Sequence, residues 1–334
     1  MVTTTTPPVI TVAPAGLAGF LCDVTEEPVS FTDCLRCAQH GAPGCSFAPG
    51  VISNLIRGIR DSDYADLLAR ENGAELGFSV TELVGCPRQF VLKKQNPYYE
   101  KVSAMYRMAF GSGYHSALAE YETSHGFKER TLTWKITFMG QTILLVGTPD
   151  LFEYSEEMGG WLITDYKVTA NPPFGHKVPI CVHCDLELHK NASGDKLVCP
   201  NCGEFSPRSA AVARVYKPAQ ARSSHAMQVN LYALLIEKNA ARLKESFPVK
   251  GAQIEYLGPK TPVRCEVTLD RDATMAFLQA RLRVLLNTHD LPPVLDEVDE
   301  LWRCDYCPVR SYCEQAHGGP VGKAATEESA EAEV

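Results

Sequence analysis

The stretch that decides the fold reads Val146-Gly147-Thr148-Pro149-Asp150 and, after a polar break, Trp161-Leu162-Ile163-Thr164-Asp165-Tyr166-Lys167. Apolar and β-branched residues run into each aspartate, which predicts that both acids stand at the ends of neighbouring strands. Glu153, Glu156, Glu157, Gly159 and Gly160 supply a polar turn, so residues 144–154 and 161–168 read as a hairpin. Two carboxylates then face one point. Such a pair is a hard-oxygen site for Mg²⁺ or Mn²⁺, and Lys167, two residues past Asp165, projects to the same face because side chains alternate along a strand. Lys167 can thereby reach a phosphate or an attacking water. A hairpin with solvated charges would show the same residues, so their surroundings decide.

Upstream, residues 107–121 have helical spacing and contain Gly111-Ser-Gly-Tyr-His115; downstream, a helix over residues 226–242 carries Gln228-Val-Asn-Leu-Tyr232. With Pro149-Asp150 and Asp165-Tyr166-Lys167 between them, these four segments resemble, in order, the motifs of the PD-(D/E)XK nuclease superfamily, and of its RecB-like branch in particular. The resemblance covers residues 79–313. It implies a restriction-endonuclease-like α/β fold, a central mixed sheet flanked by helices. It also implies a metal-dependent deoxyribonuclease that cuts single strands or trims frayed ends. His115, Asp150, Asp165 and the Tyr166 carbonyl would hold Mg²⁺ or Mn²⁺, Lys167 would orient the water or neutralise the phosphate, Gln228 would hold the water or phosphate, and Tyr232 would support Gln228.

Thirteen cysteines in a chain without a secretory signal point to metal binding rather than disulfides. Cys181-x-x-Cys184 and Cys199-Pro-Asn-Cys202 are two knuckles across a short polar hairpin, the spacing of a zinc ribbon. Cys22, Cys34, Cys37 and Cys45 form an N-terminal group in a segment too short to fold on its core alone, read as structural Zn²⁺ with free core cysteines as the alternative. Cys86 stands alone, far from Cys304, Cys307 and Cys313. One upstream cysteine with a C-terminal Cys-x-x-Cys-x₅-Cys run resembles the 4Fe-4S arrangement of RecB-like nucleases such as the CRISPR-associated Cas-four exonucleases. Spacing by itself leaves zinc open there. Cys265 has no partner motif and reads as core.

The expected organisation is a leader over residues 1–20, the N-terminal cysteine segment over 21–50 and a helical connector over 51–78. The nuclease domain follows over 79–315 with the ribbon inserted at 178–206, and an acidic tail closes the chain over 316–334. Ser79-Val-Thr-Glu82 predicts a capping-box start for a helix that carries Cys86. Residues 131–138, 143–153 and 161–168 predict three antiparallel strands; 252–257 and 263–269 predict two more, and 272–286 a helix. No run of about 18 apolar residues predicts a membrane span, and the absence of a basic start with an apolar middle leads us to expect a cytoplasmic protein.

A net charge of −8 is unusual for a nucleic-acid enzyme. Local basic patches must then carry DNA contacts. The candidates are Arg88, Lys93 and Lys94 near Cys86, and an arm over residues 208–222 with Arg214, Lys217 and Arg222. No Gly-x-x-x-x-Gly-Lys-Ser/Thr loop is present, so any unwinding falls to a partner such as a helicase; the resemblance also implies CRISPR adaptation proteins as partners. The alternative function is a catalytically silent zinc or iron–sulfur adaptor that binds nucleic acid. That reading leaves His115, Asp150, Asp165 and Lys167 without a use.

Overall fold

A computed structural model describes residues 16–41, 43–60, 64–120, 126–191, 193–243, 248–287, 290–295 and 300–321. The leader up to residue 15 and the tail from residue 322 lie outside the described residues. β1 (Gly16–Leu21) starts inside the expected leader and pairs antiparallel with β2 (Pro28–Val29). α1 (Phe31–His40) follows, with the Ser30 side chain accepting a hydrogen bond from the Asp33 amide as an N-cap. Cys34 and Cys37 thus lie on a helix, one turn apart. The connector is two helices, α2 (Pro49–Arg60) and α3 (Tyr64–Glu71). Phe20, Ile52, Leu55 and Val102 form a small core of their own beneath this segment.

β3 (Leu76–Ser79) runs into α4 (Val80–Leu83) through the expected capping box, in which Ser79 and Glu82 satisfy each other's amides. The helix expected to continue through Cys86 breaks instead. α5 (Pro87–Gln95) starts afresh with Cys86 as N-cap and Pro87 in the first turn, where a missing amide hydrogen costs nothing. β4 (Pro97–Lys101) pairs parallel with β1, and α6 (Val102–Ala119) carries His115.

β5 (Gly126–Lys128), β6 (Leu132–Phe138), β7 (Gln141–Gly147), β8 (Leu151–Ser155) and β9 (Gly160–Val168) come next. Met139 and Gly140, both at positive φ, make the two-residue turn between β6 and β7. The strand expected over residues 143–153 is corrected to two. Thr148, Pro149 and Asp150 interrupt it, since Pro149 has no amide hydrogen for a ladder. β7 lies between β3 and β6 in one sheet, while β8 forms the hairpin with β9 in another.

The ribbon comprises β10 (His176–Cys181), β11 (His189–Lys190), β12 (Leu197–Cys199), β13 (Gly203–Phe205) and β14 (Val212–Lys217). β10 pairs antiparallel with β14, and β11, β12 and β13 form a small sheet. The expected basic arm is therefore partly a strand of this module. Then come α7 (Ser223–Lys238), α8 (Ala240–Leu243), β15 (Val249–Leu257), β16 (Val263–Glu266) and α9 (Arg271–Leu286). They complete a five-stranded sheet of order β16-β15-β9-β8-β5, parallel between β15 and β9 and otherwise antiparallel.

α7 is apolar nearly all round, with Val229, Leu231, Leu234 and Leu235 buried, which is the pattern of a helix enclosed by other elements. It packs with Ile163 and Ile254 of the sheet, each fully buried side chain of this size contributing about 1.5–3 kcal/mol. Cys265 belongs to this core, as expected. α10 (Trp302–Asp305) and α11 (Arg310–His317) end the described chain. The architecture is mixed α/β, with several small sheets and helices; no helix among the described residues is long and apolar enough to cross a membrane.

Candidate active site

Asp150 sits where the chain passes from β7 to β8, and Asp165 lies within β9 on the neighbouring strand. Asp150 is held from two sides: its Oδ2 accepts a 2.7 Å hydrogen bond from the Tyr166 amide, and its Oδ1 lies 3.1 Å from Nδ1 of His115. The hairpin and α6 thus bring two of the expected metal ligands, His115 and Asp150, into contact. The bond to Asp150 raises the His115 pKa above the usual 6.5, against the opposing effect of burial.

Asp165 is 1% exposed. Lys167, two residues on and on the same face of β9, places Nζ 2.7 Å from Asp165 Oδ2. The ammonium pairs with that oxygen, and no second group among the described residues bonds it. Burial pushes the Asp165 carboxyl up to about 6, with Lys167 pulling the other way. An oxygen in that condition suits a cation, which satisfies it and favours its charged form.

A space of about 360 Å³ opens beside the site, lined by His115, Asp150 and Tyr166 together with Lys128 and Glu129. Lys128 is a cation that sequence reasoning passed over, since β5 is only three residues long and carries no motif.

α7 brings Gln228 and Tyr232 behind the acids. Both are buried, and Gln228 Nε2 donates to Tyr232 Oη at 2.8 Å. Burial and the charges of Asp165 and Asp150 raise the Tyr232 pKa, so it stays a neutral hydroxyl within the field of the two acids. His225, one turn before Gln228, was also missed. Its Nδ1 lies 3.0 Å from the Tyr256 hydroxyl, and burial, followed by the charges of Lys167, Arg222 and Arg303, pushes its pKa down to about 3. A polar residue on an apolar helix, three residues before Gln228 and so on the same side of it, was the available signal.

The cysteines fall into three settings. Cys181, Cys184, Cys199 and Cys202 have all their sulfurs within 4.8 Å of one another. Cys184 lies 3.4 Å from Cys199 and 3.8 Å from Cys202, close to the roughly 3.8 Å edge of a tetrahedron built on Zn–S bonds of about 2.3 Å. This group can hold a metal ion. Among the described residues it is the one set of three or more Cys, His, Asp or Glu ligand atoms drawn that tightly; His115, Asp150 and Asp165 are more open.

Cys86, Cys304, Cys307 and Cys313 meet across the molecule, lining one space of about 420 Å³ beside Arg88 and Gln89. Gln89 Nε2 is 3.5 Å from Cys307 Sγ. Burial raises the Cys307 thiol to about 11 and those of Cys304 and Cys313 less far. Cys22, Cys34, Cys37 and Cys45 also gather, the Cys34 thiol being raised to about 11 by burial and by the other cysteines.

Of the expected DNA-binding cations, Arg88 is 7% exposed and donates to the Pro292 carbonyl at 2.8 Å, so it does not face a phosphate backbone at the surface. Its position on α5 beside the cysteine cavity explains the change of role. Lys93 pairs with Glu100 at 2.9 Å, Lys94 lies 3.9 Å from Asp66, and Lys217 pairs with Glu187. Arg222 lies over the Trp302 ring. Arg214 is exposed on β14.

No family model and no curated protein matches the chain. A solved structure titled "Crystal structure of SSO0001" is similar to 70% of this chain over 84% of its own, at 14% identity and a TM-score of 0.36. That degree of likeness carries no argument about fold or activity.

Proposed function

We propose that the chain is a metal-dependent deoxyribonuclease with a PD-(D/E)XK-type site on a restriction-endonuclease-like core, acting on single strands or frayed ends. One observation carries the reading. His115 on α6, Asp150 at the β7–β8 junction and Asp165 and Lys167 on β9 come together, with His115 against Asp150 and the buried Asp165 carboxylate paired by Lys167. A hairpin with solvated charges would have put these groups in water.

His115, Asp150 and Asp165 are the residues that would hold Mg²⁺ or Mn²⁺, with the Tyr166 carbonyl as a further oxygen. A divalent ion bound there supplies positive charge against the phosphate and lowers the pKa of a bound water. The protein's own groups do the rest. The Tyr166 amide and His115 fix the Asp150 carboxylate, and Lys167 keeps an ammonium beside Asp165, placed to orient a water or meet a phosphate oxygen. The Gln228–Tyr232 pair presents neutral polar groups behind the acids.

The second part of the proposal is a 4Fe-4S cluster on Cys86, Cys304, Cys307 and Cys313. Their sulfurs line one cavity, and the arrangement of one upstream cysteine with a C-terminal Cys-x-x-Cys-x₅-Cys run, which resembles that of iron–sulfur nucleases, supports a cluster over zinc. Zn²⁺ is assigned to the ribbon, and to the N-terminal cysteines as the plainer of its choices. The test of the nuclease reading is incubation of end-labelled single-stranded DNA with the purified chain and Mn²⁺. Shortening that stops with a chelator, or with Asp150→Ala, is expected. Binding without any cutting would return the adaptor reading.

A further inference from the structure

We infer that the exposed side of α6 is a stacking surface for unpaired bases of a single-stranded nucleic acid, leading the strand to the site; this rests on the proposed nuclease reading. α6 is an apolar helix, and such helices are ordinarily enclosed. Here Met108 is 56% exposed, Phe110 58% and Tyr114 43%. Apart from the glycine, its chain neighbours and the helix's own backbone, no heavy atom of the described residues lies within 4 Å of where a Cβ on Gly111 or Gly113 would stand.

Phe110 and Tyr114 are one turn apart, about 6 Å along the axis, enough for a base on each ring with the strand passing the glycines. His115, which meets Asp150, is the next residue. At the other end Arg107 stands 5.6 Å from the ring centre of Tyr306, itself 62% exposed. The track therefore runs from an arginine–tyrosine pair, past two aromatic rings, to the carboxylates.

Charge selects the occupant. α6 carries no aspartate or glutamate in its eighteen residues, in a chain with forty acids; Arg107 lies on it, and Lys128 lines the space beside the site together with Glu129. A face buried against protein also excludes acids, so the choice of a polyanion rests on Arg107 and Lys128 and on His115, the residue after Tyr114, meeting Asp150. Aromatic faces take any base, so the surface reads strandedness rather than sequence.

The experiment uses the full chain with Ca²⁺ in place of Mn²⁺ and measures binding of a fluorescent mixed-sequence single strand and of a blunt duplex of equal length. Phe110→Ala with Tyr114→Ala is expected to weaken single-strand binding by about tenfold for each ring removed, to change duplex binding less than twofold, and to retain zinc and iron. Phe110→Trp restores affinity. With Mn²⁺ the loss appears in KM. A wild type that binds and cuts single strands, joined by a double variant of equal affinity, overturns the inference and spares the nuclease reading. A wild type that neither binds nor cuts overturns both. A wild-type dimer that the double variant dissociates without altered DNA affinity shows the face to be an interface between copies, which also overturns it.

Discussion

Replacing Asp165 by asparagine should make the metal-free protein more stable while ending its activity. Asp165 is buried, and its carboxyl is raised from 3.8 to about 6 because loss of water penalises the charged form more than Lys167 rewards it. A carboxyl raised in the folded state holds its proton where the unfolded chain has lost it. The stability it contributes is therefore complete below pH 3.8 and is lost as pH rises through about 6. At about 1.36 kcal/mol for each pH unit between those values, the ionised carboxylate costs the folded protein about 3 kcal/mol at pH 7.5 and about 1 at pH 4.5.

Asparagine keeps the shape without the charge, and Lys167, with 21% of its side chain exposed, can turn to water. Urea unfolding should find Asp165→Asn more stable than wild type by that margin at pH 7.5, with the advantage shrinking toward pH 4.5. The difference reports Asp165 together with the neighbours it is coupled to, Lys167, Asp150 and His115. Millimolar Mn²⁺ should close or reverse the gap, since only wild type gains the stabilisation of a bound ion. A variant less stable than wild type at pH 7.5 without metal would refute the reasoning, because the pair with Lys167 would then outweigh burial.

Asp150→Ala and Lys167→Ala should each abolish DNA cutting while far-ultraviolet circular dichroism and zinc content stay unchanged; turnover at the wild-type rate by either variant sinks the assignment. Cys86→Ala should remove iron and lower solubility, because it opens a closure between α5 and a segment more than two hundred residues later, and unchanged iron content would show the cysteines to be grouped wrongly. Cys181→Ala should release about one Zn²⁺ per chain, read by a chromogenic chelator, and leave iron in place. Arg214→Ala with Lys217→Ala should flatten the salt dependence of single-strand binding by about two units of slope if β14 contacts the backbone, whereas an unchanged slope places the DNA path elsewhere. Arg88 no longer belongs in that set, given its burial and its partner at Pro292.

The acids and Lys167 were legible because a two-residue period along a strand places Asp165 and Lys167 on one face whatever the rest of the chain does. Ribbon thiolates were legible for a similar reason: two short knuckles bring four sulfurs together locally. What spacing did not show is how strands distribute between sheets. Residues 143–153 are mostly apolar, yet Pro149 divides them and sends β7 and β8 to different partners. Nor does periodicity report that the Cys86 helix breaks at Pro87, or that Arg88 then turns inward to a carbonyl two hundred residues away. His225 escaped because its importance depends on Tyr256 and Lys167, which only the parallel pairing of β15 with β9 brings near it.

The most direct measurement is Mn²⁺ binding followed by electron paramagnetic resonance on zinc-loaded, iron-loaded protein, with cutting assayed on the same samples. Wild type should take up Mn²⁺ at a site that Asp165→Asn and Asp150→Ala both lose, and the cutting of single-stranded DNA should disappear with it. Mn²⁺ uptake and cutting that persist together in both variants would contradict the assignment of this site.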